Sequence, residues 1–231
     1  ALMIGTSGAL RLLLSDEEVV APWGLWCYRA DRRRFLVGGA ISNGGNLYAW
    51  LRQTLQLPPG QDVERQLAAL PPDGHGLTVL PFLAGERNPG YAMGATATIS
   101  GLRWHTQPLQ ILQACLEAAG YRLALVFERL AHLAAPEAVL VASGTGLLQS
   151  PAWMQMLADI LGRRIVTGGE AEASSRGAAL LAAEALGYGA IAAGAMAAAG
   201  RCYDPDPERY ERYRNGLQRH RRLYQRLLDG K

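Results

Sequence analysis

The sequence predicts an α/β domain, on three observations. Short apolar strands run into Gly-rich turns at Gly5–Gly8 and Gly144–Gly146. Amphipathic stretches with apolar residues at steps of three and four alternate with those strands. No internal repeat or low-complexity linker interrupts the pattern, so residues 1–231 read as one domain.

Leu2-Met3-Ile4 and Ala9 to Leu14 read as strands around the turn Gly5-Thr6-Ser7-Gly8. Leu25 to Ala30 and Phe35 to Gly39 flank a charged turn, Asp31 to Arg34, and suggest a hairpin. Asn43-Gly44-Gly45-Asn46 opens a helix whose inner face would carry Leu47, Trp50, Leu51, Thr54 and Leu55. Pro58-Pro59-Gly60 stops it, and a short helix from Asp62 to Leu70 ends at Pro71-Pro72-Asp73-Gly74. Leu77 to Leu83 is a buried-strand candidate that leads into the loop Ala84 to Gly90. Pro108 to Leu133 carries the clearest helical stripe: Leu109, Leu112, Leu116, Ala119, Leu123, Val126, Leu130 and Leu133. Ala138 to Ala142 and Arg164 to Thr167 are further strands. The first is followed by a helix bearing Trp153, Met156, Leu157 and Ile160, the second by a helix from Glu172 to Leu186. A last helix, Pro207 to Leu228, presents Tyr210, Tyr213, Leu217, Tyr224 and Leu228 inward.

Composition excludes several classes. A net charge of +3 without a basic stripe or a reading element argues against nucleic acid. The three cysteines, Cys27, Cys115 and Cys202, are scattered and make no CxxC pair, which argues against disulfides and zinc. No apolar run has the length and character of a membrane span, and a cytoplasmic, reduced protein is the default expectation.

Glycine turns after buried strands suit anions, because backbone N–H groups approach closely and Thr or Ser hydroxyls add donors. Gly44-Gly45 and Gly144-Thr145-Gly146 also open helices, whose N-termini favour phosphate. A dinucleotide fingerprint would need glycine where Gln149 stands, and no Walker loop or nucleophile elbow occurs.

These motifs together resemble the C-terminal half of the FGGY carbohydrate kinases. Gly5-Thr6-Ser7-Gly8 is similar to the family's second phosphate loop. Phe35 to Gly45 with Trp50-Leu51 resembles the gluconokinase-like branch. Pro81 to Pro89 is similar to a P-[YF]-L-x-G-E-R-x-P segment, and Ala97 to Glu117 to the second family signature, failing only at Cys115. Ser143 to Ser150 with Trp153 resembles the adenosine loop, and Glu172 to Ala179 the entry to the last helix. The resemblance implies an actin/Hsp70/sugar-kinase (ribonuclease H-like) domain, a mixed sheet with helices on both faces. It further implies ATP with Mg²⁺ as cofactors and a sugar or sugar acid as substrate, gluconate or a pentulose.

By the same resemblance Gly5, Thr6 and Ser7 would contact the outer phosphates, Gly45 the region near the ribose and phosphates, and Gly146 with Ser150 the adenosine, while Gly8, Gly44, Ala49, Gly144 and Thr145 complete the implied nucleotide-binding set. Ala49 stands where the family often has a polar residue, and Thr145 where it has glycine, so an altered turn is expected because β-branched residues resist φ > 0. Glu86 and Arg87 are expected to form an ion pair that fixes their loop. The family's base is an aspartate shortly upstream of the Gly-Thr-Ser-Gly turn. Only Ala1 to Ile4 precede that turn here, and Asp16, Asp31 and Asp159 do not match the base position. The base, the first phosphate loop and most sugar contacts are therefore expected in a missing N-terminal domain, which leaves this chain inactive alone. The alternative is a stand-alone nucleotide-binding or pseudokinase module. A homodimer is left open.

Overall fold

The computed structural model describes residues 1–15, 19–136, 138–168, 173–188 and 199–229. In chain order the elements are β1 (Leu2–Ile4), β2 (Gly8–Leu14), β3 (Trp26–Arg29), β4 (Phe35–Ile41), α1 (Gly45–Thr54), α2 (Gly60–Ala69), β5 (Thr78–Leu80), β6 (Thr98–Ser100), α3 (Pro108–Leu130) and β7 (Leu140–Ser143). They continue with α4 (Thr145–Leu148), α5 (Pro151–Leu161), β8 (Ile165–Gly168), α6 (Ala173–Ala185), β9 (Ala199–Tyr203) and α7 (Pro207–Tyr224), which runs on into a π-helical turn, Gln225–Asp229. Glu172 and Asp16 lie outside the described residues.

The main sheet has the order β3-β4-β2-β1-β7-β8-β9. The chain from β1 to β4 folds back antiparallel, β7 and β8 continue parallel to β1, and β9 closes the far edge antiparallel. Register decides the core. Pairing Leu2 with Leu10 and with Ala142, and Leu140 with Ile165, puts these residues on one face with Ile4, Val37 and Ile41. All of them are buried. On the opposite face Leu13 and Val141 stay exposed.

The buried face is covered by α3. Pro108 sits at its first turn, where a missing N–H costs nothing, and the Gln110 side chain accepts the Gln107 N–H at 2.9 Å. Every residue from Leu112 to Val126 is buried, because the sheet lies on one side of the helix and α5 on another. Two charged side chains ride inside this run, Glu117 and Arg122. Glu117 accepts bonds from the Asp73 N–H (3.1 Å) and the Gln113 amide (2.9 Å) and faces His75 Nε2 at 3.0 Å, which anchors the segment after α2 to α3. On α1 only Leu47 and Leu51 are buried; Trp50 and Thr54 face outward, because the helix lies on the core by a narrow edge rather than the broader stripe expected. The expected strand Leu77–Leu83 is shorter, since Thr78–Leu80 pairs with β6 while Leu83 makes only an isolated bridge to Gly85.

Topology sets where the turns fall. β1 and β7 are parallel neighbours, so the turns that follow them leave the same edge of the sheet. Ile41, at the end of β4, pairs with Gly8 and brings the Gly44-Gly45 pair to that edge as well. The C-terminal ends of parallel strands are where open α/β sheets hold ligands.

Candidate nucleotide cleft

Three glycine turns meet through backbone atoms. The Gly45 N–H donates to the Gly5 carbonyl at 2.8 Å and the Asn46 N–H to the Thr6 carbonyl at 3.0 Å, so the first turn of α1 is capped by the loop between β1 and β2. A β-carbon on Gly45 would overlap the Gly5 carbonyl oxygen, and one on Gly44 would stand 2.7 Å from the Ser7 carbonyl carbon. Gly144 has φ +93° and lies against the Ile4 backbone, where a β-carbon would come within 2.5 Å of the carbonyl oxygen. Close approach, more than free helix N–H groups, is what these glycines supply. The Thr6 side chain is exposed and that of Ser7 half-buried, and neither hydroxyl makes a hydrogen bond among the described residues.

The positive φ of the β7–α4 turn falls on Gly144, not on Thr145, which begins α4. The β-branched residue therefore sits where the backbone is helical, and the expected alteration of the turn has no cause here.

Beside these turns opens a cleft of 400 Å³ lined by Gly45, Tyr48, Gly60, Gln61, Glu64, Gly146, Gln149, Ser150 and Trp153. Of the residues singled out in the sequence, Gly45, Gly146 and Ser150 line it. Gly5, Thr6, Ser7, Gly8, Gly44, Gly144 and Thr145 do not line it but form the turns beside it, and Ala49 lies exposed one helical turn beyond Gly45. The wall on the α2 side was not read from sequence. Its signal was slight: two acids, Asp62 and Glu64, on either side of the buried Val63.

Ser150 caps α5. Its hydroxyl oxygen accepts the Trp153 N–H at 3.2 Å, and Pro151 follows at the first helical position. The same hydroxyl donates to Glu64 Oε1 at 2.6 Å, while Glu64 Oε2 accepts the Ala152 N–H at 3.2 Å. One carboxylate thus ties α2 to the start of α5. The Tyr48 phenol is held above its usual pKa, chiefly by burial; nearby Arg52 opposes the shift and the Glu64 charge adds to it. The Trp153 indole N–H is buried without a partner among the described residues.

Glu86 does not pair with Arg87. Its partner is Arg122 of α3, with Tyr224 Oη donating at 2.6 Å and the Gly90 N–H at 3.0 Å, while Arg87 is exposed. The apolar surroundings favour a partner that α3 carries into the interior over a neighbour whose side chain reaches water. Asp159 is structural: it accepts from Gln155 at 2.8 Å and the Asp206 N–H at 2.9 Å, and Arg209 stands 3.2 Å away.

Among the described residues one group could hold a metal ion, Asp73, His75 and Glu117. Its lone pairs are already engaged: His75 Nδ1 accepts the Leu77 N–H at 2.9 Å, Nε2 faces Glu117, and Arg219 pairs with Asp73. None of the three lines the cleft.

The sequence profile described as the FGGY family of carbohydrate kinases, C-terminal domain, matches residues 1–186. The gluconokinase of Bacillus licheniformis is 30% identical over 199 residues, 81% of this chain and 39% of that protein. A probable L-xylulose kinase of Haemophilus influenzae is 27% identical over 214 residues, 93% of this chain and 43% of that protein. Among solved structures, a ligand-bound xylulose kinase from Lactobacillus acidophilus superposes with a TM-score of 0.85 at 30% identity, covering 98% of this chain and 46% of that one. A gluconate kinase from the same organism gives 0.84 at 29% identity, with the same coverage. The chain thus spans less than half the length of these relatives, and its mixed sheet with packed helices is the sugar-kinase, actin/Hsp70-like fold. This chain belongs to the FGGY family of carbohydrate kinases, as its C-terminal domain.

Proposed function

We propose that this chain is the ATP-holding half of a kinase that phosphorylates a sugar or sugar acid, gluconate or a pentulose. The observation that carries the reading is the convergence of three glycine turns beside a 400 Å³ cleft, on a chain of the carbohydrate-kinase family. Kinship to a gluconokinase and to xylulose kinases supports the substrate class.

In this reading the purine and ribose occupy the cleft between Gly45 and Gly146, walled by Tyr48, Glu64 and Trp153. The phosphates extend over Gly5 to Gly8, with Thr6 and Ser7 offering hydroxyl donors. Phosphoryl transfer needs little covalent chemistry from the protein and much positioning, so a floor of fixed backbone dipoles suits it. Mg²⁺ enters on the phosphate oxygens as the metal–nucleotide complex and neutralises charge there; no residue of this chain is assigned to it. The sugar hydroxyl's base and most sugar contacts lie outside these 231 residues.

Calorimetric titration with ADP and a non-hydrolysable ATP analogue, with and without Mg²⁺, tests the nucleotide half. Saturable binding is expected; no heat at millimolar nucleotide sinks it. Incubation of the chain with ATP and gluconate or xylulose should yield no sugar phosphate, and sustained turnover would overturn the division of labour.

A further inference from the structure

We infer that Glu64 makes the cleft select adenine through its 6-amino group; this rests on the nucleotide reading above. The cleft has two fixed polar groups besides its backbone floor. Glu64 is one, immobilised by Ser150 Oγ at 2.6 Å and the Ala152 N–H at 3.2 Å. The other is the Ser150 hydroxyl, which spends its proton on Glu64 and accepts the Trp153 backbone N–H. Tyr48, Gln61 and Gln149 can each donate or accept and so impose little.

An ionised carboxylate only accepts, and its two oxygens offer about four lone-pair directions. Ser150 and Ala152 use one on each oxygen, which leaves acceptor capacity on a side chain that lines the cleft. The fixed group with capacity to spare is therefore an acceptor. Adenine offers the matching donor, an amine hydrogen at N6. A purine with a carbonyl at C6 would set that oxygen against the Glu64 carboxylate, two acceptors facing each other. Guanine could answer Glu64 only by turning its N1–H and N2 edge to it, which is an outcome the experiment reads.

Glu64 would then hold the loop and read the base at once, and the two roles separate in measurement. The chain is titrated with ADP, IDP, GDP and the diphosphate of purine riboside, which has hydrogen at C6. Wild type is expected to bind ADP about tenfold or more tighter than the other three. Glu64→Gln should weaken ADP and bring ADP and IDP near parity, because an amide can donate to O6. Ser150→Ala removes a support of the carboxylate but leaves its charge, and should keep the order ADP over IDP. Thermal melts of each variant report folding. Equal wild-type affinity for ADP and purine riboside diphosphate, or tighter GDP, overturns the inference while leaving nucleotide binding intact. So does a Glu64→Gln variant that loses affinity for all four by one common factor. Failure of wild type to bind any nucleotide overturns the nucleotide reading, and this inference with it.

Discussion

Arg122, in the middle of α3, reaches into the loop after β5 and pairs with Glu86 where both side chains are almost completely buried. The guanidinium also lies over Phe82 at 5.2 Å and Tyr224 at 5.0 Å, so one cation joins α3, the Gly-Glu-Arg loop and the C-terminal helix. Desolvation pushes Arg122 down to about 10, with Tyr224 opposing the shift and Arg129 adding to it, and the group stays charged at neutral pH. Taking away one member of such a pair strands the other charge. Arg122→Met is expected to destabilise the fold by about 3–5 kcal/mol. Adding Glu86→Gln should recover part of that loss. Urea unfolding of the single and double variants gives the coupling; additive losses would show that the two charges act separately.

The contact between the turns sets a second expectation. Gly45→Ala drives a methyl into the Gly5 carbonyl, a backbone atom that cannot swing aside. The turn between β1 and β2 must then shift away from α1. A loss of about 1–3 kcal/mol in stability is expected, with nucleotide affinity falling further than stability alone accounts for. Gly60→Ala is the control on the opposite wall, because a β-carbon there meets nothing within 4 Å. Equal effects at the two positions would remove the special role given to the Gly45 contact.

Thr6 and Ser7 should separate binding from folding. Their hydroxyls support no other part of the chain among the described residues, so Thr6→Ala and Ser7→Ala should leave the melting temperature nearly unchanged. If these hydroxyls meet phosphate oxygens, each loss should cost about 1.5–3 kcal/mol in triphosphate binding, read by calorimetry. AMP, which lacks the outer phosphates, should bind both variants as it binds wild type. An equal drop for AMP would move the phosphates elsewhere.

His220 predicts a pH dependence. Its Nδ1 faces the Val79 carbonyl oxygen at 2.8 Å, its Nε2 is buried without a partner among the described residues, and desolvation first, then Arg122, push its pKa from 6.5 down to about 3. The folded chain refuses a proton that the unfolded chain accepts below 6.5, so this group's stabilisation is complete above that value and lost as pH falls toward 3. The slope is about 1.4 kcal/mol per pH unit, or about 2 kcal/mol between pH 6.5 and 5. Urea midpoints at pH 7.5, 6.5 and 5 should show it, and His220→Gln should flatten the lower interval. An unchanged slope in the variant would assign the effect to other groups.

Patterns of short range were legible in the sequence. The turns Gly5–Gly8 and Gly144–Gly146, the hairpin of β3 and β4, and the stripe of α3 are written in neighbouring residues, and each formed close to its expected limits. Pairings across distance were not. β9 was missed because Ala199 to Tyr203 shows no alternation, and it exists by pairing with β8. Glu86 was given to its neighbour Arg87, although an arginine inside the apolar run of α3 was the available signal that a buried anion had to lie nearby. Glu64 entered the cleft through contacts with Ser150 and Ala152, in a helix separated from them by the whole length of α3, and nothing local announces that.

The lap of the Gly5–Thr6 carbonyls over the start of α1 ties two segments that are far apart in sequence into one piece. A ligand that tugs on the turn pulls a helix rooted in the core by Leu47 and Leu51. Such a joint resists being pried open from one side. It hands any displacement of the turn straight to the body of the domain, as a latch bolted to its door frame would.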